Sequence, residues 1–279
     1  MKSSRCLTCI LALAFLAYST ASLAASRFSD LSGSPDLRSA SALVLGSGGD
    51  LIYGKDIDTV RPIASITKLM TAMVVLDSGL DLDEQIAVSK ADRDTVQMTG
   101  SRLEYGATLS RREMILLAIM SSENRAASTL GRNYPGGLAT FVQAMNAKAA
   151  ELGMTRSRFA DPAGLRVENQ STARDLGRMV SAALEYPLIR EASTTRRLEV
   201  RPYRNRGPLN YVNTNRLLKN ESWDIALSKT GYINEAGRCL VMRATIEGEP
   251  ISIELLNSFG KLTPFGDSNR LRKWMLAAT

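Results

Sequence analysis

Strand patterns lie at the two ends of this 279-residue chain, and helical patterns fill the middle. That order constrains the fold more than any other feature. Near the start, "SALVLGSGGDLIYGK" (41–55) reads as strand, tight turn, strand. From about 195 onward "RRLEV", "IALSKTGYI", "RCLVMRATI" and "PISIELLNS" read as strands again, with Glu247-Gly248-Glu249-Pro250 as a turn. Between the two groups, from about 83 to 190, the periodicity is mainly helical. Strands, helices, strands and a last helix predict an α+β fold: an antiparallel sheet flanked by helices, with a helical insertion.

A helix from about Ser65 to Asp77 is apolar at Ile66, Leu69, Met70, Met73, Val74 and Leu76. Such nearly all-round hydrophobicity marks a buried central helix. Ser110-Arg111-Arg112-Glu113 is a capping box in front of "MILLAIM", and Thr172-Ala173-Arg174-Asp175 looks like a second one. Leu138, Phe141, Val142 and Met145 share one helical face, and Gly153 ends that helix. Asp267-Ser268 reads as the cap of a last helix, whose Leu271, Trp274, Met275 and Leu276 are expected to pack in the core. The Gly46-Ser47-Gly48-Gly49 cluster has the wrong spacing for a dinucleotide loop and fits a hairpin turn. There is no internal repeat and no low-complexity linker.

The first 24 residues read as a signal peptide. Lys2 and Arg5 precede an apolar run from about Cys9 to Tyr18, and Ser22-Leu23-Ala24 fits a cleavage site, so the mature start is expected near Ala25. The apolar run is shorter than the roughly 20 residues a bilayer span needs, and no later segment is long and apolar enough. The expectation is an exported, periplasmic protein with no stable transmembrane anchor. Residues 25–279 would form a single catalytic domain, with a helical subdomain at about 83–190.

Three exclusions narrow the chemistry. The chain contains no histidine, so neither Ser-His-Asp nor Cys-His catalysis is available, nor a histidine-ligated metal. Of the three cysteines only Cys239 lies beyond the signal, so the remainder has no internal disulfide and no cysteine zinc site. Neither a metal nor a cofactor is expected, and Cys239 reads as a small core residue. Without Lys2 and Arg5 the balance is 33 basic to 28 acidic residues. That mild excess favours anionic partners in general. There is no long basic run with interleaved aromatics, which argues against nucleic acid.

A hydrolase without histidine needs lysine, a carboxylate or tyrosine as its base. "RPIASITKLMTA" (61–72) offers Ser65 and Lys68, three apart and therefore on one helical face. Serine attacks only when something takes its proton. Lysine takes it only when neutral, and burial near a second positive charge lowers its pKa. "MSSENRAA" is a polar break between helices that offers Ser122 for proton relay and Asn124 to hold a substrate carbonyl. In "IALSKTGYI", Lys229 and Thr230 could bind a carboxylate, and Gly231 suggests close approach by a ligand or another backbone.

The order S-x-x-K, S-x-N, K-T-G is that of the penicillin-recognising serine enzymes. With "YGKDIDTVRPIASITKLMTA", "FADPAGL", "STARDLG" and "KTGYINEAGRCLVM", the chain from about Ser41 onward resembles the low-molecular-mass penicillin-binding proteins. Within them it is similar to the D-alanyl-D-alanine carboxypeptidase and endopeptidase group, and "SSENRAA" and "YINEAGRC" look most like the endopeptidases. The resemblance implies a β-lactamase/transpeptidase-like fold and the following roles. Ser65 would be acylated, with Lys68 as its base. Ser122 and Asn124 would transfer protons and position substrate. Lys229, Thr230, Gly231 and Tyr232 would form the substrate-binding strand, with the Ser65 and Tyr232 N–H groups as oxyanion hole. Peptidoglycan stem peptides would be the substrate and β-lactams the inhibitors. Glu123 at the middle position of S-x-N is a variation on the pattern.

Three alternatives stay open at this point. A carboxypeptidase would use the same chemistry on a smaller leaving group. A β-lactamase needs a separate deacylating glutamate, for which "GLRVENQST" is a poor match. A non-catalytic wall-binding scaffold would have no need of the intact serine and lysine set.

Overall fold

The computed structural model describes residues 26–277. The signal sequence, its cleavage site, Cys6 and Cys9 lie outside the described residues. In chain order the strands are β1 (Ser41–Leu45), β2 (Leu51–Lys55), β3 (Arg61–Pro62), β4 (Gln85–Ala87), β5 (Thr108–Ser110) and β6 (Gln170–Ser171), followed by β7 (Arg197–Val200), β8 (Leu209–Val212), β9 (Asp224–Ile233), β10 (Gly237–Ile246) and β11 (Glu249–Ser258). The helices are α1 (Thr67–Asp77), α2 (Arg111–Met120), α3 (Asn124–Arg132), α4 (Gly137–Glu151), α5 (Ala173–Ala183), α6 (Pro187–Thr194) and α7 (Thr263–Ala277).

The main sheet has the order β2-β1-β11-β10-β9 and is antiparallel throughout. Its strands come from both ends of the chain, as the patterning predicts, and the helices inserted between them cover one face. Its hairpins are set by local turn chemistry. Gly49 closes the β1–β2 turn with φ +84°, and Glu247 (φ +51°) and Gly248 (φ +80°) make the left-handed pair that joins β10 to β11. One apolar cluster fills the space between the sheet and α1–α6. A second lies on the opposite face, where Phe28, Leu271 and Met275 pack against Val44, Leu240 and Ile253.

Helix α1 runs through the first cluster with every residue from Thr67 to Val75 buried, which is why its sequence is apolar all round. The capping box at Ser110 forms in full, with Glu113 reaching back to the Ser110 N–H. Three sequence expectations need correction. Thr172 caps α5, but the Asp175 carboxylate turns instead to the Arg156 N–H and the Ser157 hydroxyl. Asp267 is not the cap of the last helix, because α7 begins four residues earlier; its buried carboxylate accepts from the Ser39 N–H and hydroxyl. On α4, Phe141 and Met145 are buried, while Leu138 is 48% exposed. "RRLEV" does form a strand, β7, but it pairs with β8 in a separate hairpin outside the main sheet. In α7, Leu271 and Met275 are buried, as expected of a core-packing helix.

Candidate active site

Ser65 sits in a single 3₁₀ turn, Ala64–Ile66, that leads into α1. Its hydroxyl caps nothing, since the first residue flanking α1 is Ile66 and no side chain caps that end. Helix capping therefore does not explain this serine. Ala64 has φ +47° and Ser122 has φ +60°, two non-glycine residues in the left-handed region on either side of the same cleft. Such backbone strain collects at functional sites, where surrounding structure holds it.

Lys68, one turn on, is 0% exposed. Its Nζ lies 2.7 Å from Ser65 Oγ, 2.8 Å from Asn124 Oδ1 and 2.6 Å from the Ala163 carbonyl oxygen. Burial pushes its pKa down to about 7, against the pull of the Asp161, Glu123 and Asp94 carboxylates. A neutral amine has two N–H bonds and one lone pair. Asn124 Oδ1 and Ala163 O only accept, so they take the two N–H bonds and leave the lone pair facing the Ser65 hydroxyl.

The Asn124 orientation follows from its other partner. The Asp94 carboxylate accepts the Thr99 hydroxyl at 2.6 Å, so Thr99 Oγ1 is left to accept the Asn124 amide N–H at 2.8 Å. That turns Oδ1 toward Lys68. So placed, Asn124 accepts from Lys68 and orients it.

The third motif lies on β9, an edge strand of the sheet. Lys229 is nevertheless 1% exposed, and it donates to the Thr230 carbonyl at 2.9 Å. Burial and the nearby charge of Lys68 hold it well below the ordinary lysine range. A proton on Lys68 thus disfavours one on Lys229. Thr230 donates its hydroxyl to Thr214 Oγ1 at 2.7 Å. Gly231 explains itself by contact: a Cβ there would lie 2.9 Å from the Ile63 carbonyl oxygen and 3.1 Å from the Ser65 nitrogen. The β9 backbone therefore runs directly against the serine turn, bringing the Tyr232 segment beside the Ser65 N–H.

A cleft of about 770 Å³ opens between these elements, walled by Ser65, Ser122, Asn124, Thr214, Thr230 and Tyr232 among others. Lys68 and Lys229 lie behind its wall. Cys239 is 2% exposed, and burial pushes its thiol up to about 11, as befits a core residue.

Reasoning from sequence missed the segment that holds Lys68 from the other side. Asp161 accepts from the N–H groups of Ala163 (2.7 Å), Gly164 (2.6 Å) and Arg166 (2.8 Å), and from the Asn169 amide. This ring of bonds aims the Ala163 carbonyl at Lys68, while Thr71 on α1 donates to the Pro162 carbonyl at 2.6 Å. The available signal was Asp-Pro-Ala-Gly, a turn sequence inside "FADPAGL".

The family pattern described as D-alanyl-D-alanine carboxypeptidase, peptidase S11, matches residues 29–260. A D-alanyl-D-alanine endopeptidase of Pseudomonas aeruginosa is 50% identical over 241 residues, covering 86% of this chain and 78% of the relative. One from Escherichia coli is 47% identical over 243 residues, with the same coverage of 86% and 78%. Among solved structures, the Streptomyces K15 DD-transpeptidase superposes with a TM-score of 0.81 at 27% identity, covering 88% of this chain and 100% of that one. Penicillin-binding protein D2 of Listeria monocytogenes, solved with cefotaxime bound, gives a TM-score of 0.76 at 27% identity over 88% of this chain and all of that one. The matched span takes in the lysine–serine pair, the polar break and the β9 edge together, and on that match this chain belongs to the peptidase S11 family, the D-alanyl-D-alanine carboxypeptidases.

Proposed function

We propose that this chain is a serine DD-peptidase that cuts D-alanyl cross-links in peptidoglycan through an acyl-enzyme on Ser65. The observation that carries this reading is the 2.7 Å contact between Lys68 Nζ and Ser65 Oγ, with the lysine fully buried and its pKa near neutral. Neutral Lys68 takes the Ser65 proton as Oγ attacks the D-alanyl carbonyl carbon. The oxyanion is met by the N–H groups of Ser65 and Tyr232. Collapse of the tetrahedral intermediate breaks the C–N bond, and the proton held by Lys68 passes by way of Ser122 to the departing amine. Water then adds to the acyl carbonyl, giving up a proton to the lysine, and Ser65 leaves with one. Thr230 at the cleft wall, with Lys229 behind it, holds a carboxylate on the leaving side, and β-lactams acylate the same serine. The names of the P. aeruginosa and E. coli relatives support the endopeptidase over the carboxypeptidase.

The reading includes export to the periplasm after removal of residues 1–24, with 25–279 as the catalytic domain. Among the described residues no helix is long and apolar enough to cross a membrane. The test uses protein starting at Ala25, with Ser65→Ala as control. Each is incubated with a cross-linked muropeptide dimer and with a pentapeptide monomer, and the products are weighed. Conversion of dimer to two monomers by the wild type alone is the expected result. Loss of one D-alanine from the pentapeptide with the dimer untouched makes the protein a carboxypeptidase.

A further inference from the structure

The charged side chains that wall the cleft have a single sign. Besides the motif residues the wall includes Arg216, Lys219, Arg238 and Lys261, and among the described residues no acidic side chain lines it. Arg216, Lys219 and Lys261 are exposed and Arg238 is half-buried. None of the four forms an ion pair among the described residues, although arginines elsewhere on this surface pair repeatedly with Asp and Glu. Arg238 instead lies 3.5 Å over the Tyr232 ring centroid, a contact that holds the guanidinium without cancelling its net charge.

The cations are fixed by their elements. Arg216 and Lys219 belong to a short 3₁₀ turn, Arg216–Lys219, that is anchored by buried Leu217 and Leu218 and capped by the Asn215 side chain. Arg238 begins β10 in register with Tyr232. Lys261 leads into α7. Two sides of one cleft thus converge positive charge on the same space. Clustered like charges repel, and a bound anion of matching extent relieves that repulsion beyond what solvent screening does.

We propose that this cationic wall binds the departing strand of the cross-linked substrate by its several free carboxylates, and so selects a cross-linked peptide over a terminal D-alanine. The inference rests on the peptidase reading above. A terminal D-alanine leaves as one small residue with one carboxylate, which the Thr230 site suffices to meet. A cross-linked stem leaves as an amine on a longer peptide that carries further carboxylates, and it needs both the extra space and the extra charge. Arg216 and Lys219 are then specificity-determining for the leaving strand.

The test compares wild type with the double variant Arg216→Gln/Lys219→Gln and the charge-preserving Arg216→Lys. Each is given a cross-linked dimer and the same dimer with the carboxylates of its departing strand amidated. In the double variant kcat/KM for the acidic dimer is expected to fall about tenfold and to lose most of its salt dependence, with Arg216→Lys in between. For the amidated dimer the fall is expected to be less than about twofold, since it presents no carboxylates for these side chains to meet. Equal losses on the two dimers, or no loss on either, overturn the proposal. A wild type that leaves both dimers intact and is not labelled at Ser65 by a fluorescent penicillin overturns the peptidase reading instead.

Discussion

A methyl group on Gly164 would lie 2.0 Å from the carbonyl oxygen of Ala64. The two residues are a hundred positions apart in the chain, and their backbones touch directly behind the serine turn. Gly164 also has φ +77°, which other residues enter only with strain. The Ala64 turn, itself left-handed at φ +47°, is therefore braced by the loop that aims the Ala163 carbonyl at Lys68. Gly164→Ala is expected to lower stability by at least about 2 kcal/mol and to slow acylation by a β-lactam. Thermal melting together with stopped-flow acylation checks it. A variant with unchanged melting and unchanged acylation refutes the brace.

Asp161 holds the same loop from within. It gathers several N–H donors onto one carboxylate, and bonds to a charged acceptor are worth about 1.5–3 kcal/mol each, though not additively. Asp161→Asn replaces half of that acceptor with a donor facing other donors. A loss of about 2–4 kcal/mol in stability is expected, with a larger proportional loss in acylation because the Ala163 carbonyl drifts from Lys68. A fall in melting temperature with acylation intact would mean that the loop stabilises the fold without positioning the lysine.

The sequence made the ends of the fold easy to read and the middle of the site hard. Strands β9 to β11 and helix α1 announce themselves by local periodicity, and the Ser110 capping box by spacing within one turn. The β7–β8 hairpin was half visible, because "RRLEV" has a strand pattern but its choice of partner is a tertiary event. Asp267 shows the limit of a local rule. It looks like a cap, yet α7 extends past it to Thr263, and its carboxylate is used to tie down Ser39 over two hundred residues earlier. At the site, the side chains of the three motifs were legible by type. The third partner of Lys68 was not, because it is a backbone carbonyl, whose position no residue identity encodes. Nor did residue type reveal the relay from Asp94 through Thr99 to Asn124, because which partner a hydroxyl or amide finds is settled by the fold and not by local pattern.

Lys68 should set the pH dependence of acylation. With its folded pKa at about 7, the lysine is neutral and base-competent above that value and protonated below it. The rate of acylation by a β-lactam is therefore expected to rise with pH, level off above about 7, and fall about tenfold per unit on the acid side. The carboxylates of Asp161, Glu123 and Asp94 favour the charged lysine. Removing one should move the midpoint down. Glu123→Gln keeps an acceptor for the Arg125 N–H while deleting the charge. A midpoint that stays fixed in this variant, or an acylation rate flat between pH 5 and 9, rules out Lys68 as the titrating base.

Glu254 sets a second pH dependence, on stability rather than on activity. It lies on central strand β11, 0% exposed, with Oε1 accepting the Ser252 hydroxyl at 2.6 Å and Oε2 unpartnered. Burial raises its pKa from 4.5 to about 8, outweighing the Ser252 hydrogen bond and the charge of Arg243. Between these two values the folded chain holds a proton that the unfolded chain has released. Stability then falls as pH rises from about 4.5 to about 8, and the loss is complete above that window. On the scale of about 1.4 kcal/mol per pKa unit, this amounts to a few kcal/mol. Glu254→Gln keeps the shape and removes the ionisation. Its melting temperature relative to the wild type should therefore climb between pH 5 and pH 8 and stay level beyond, whatever constant offset the amide introduces. Parallel curves for the two proteins across that range would show that Glu254 ionises no differently in the folded and unfolded chain.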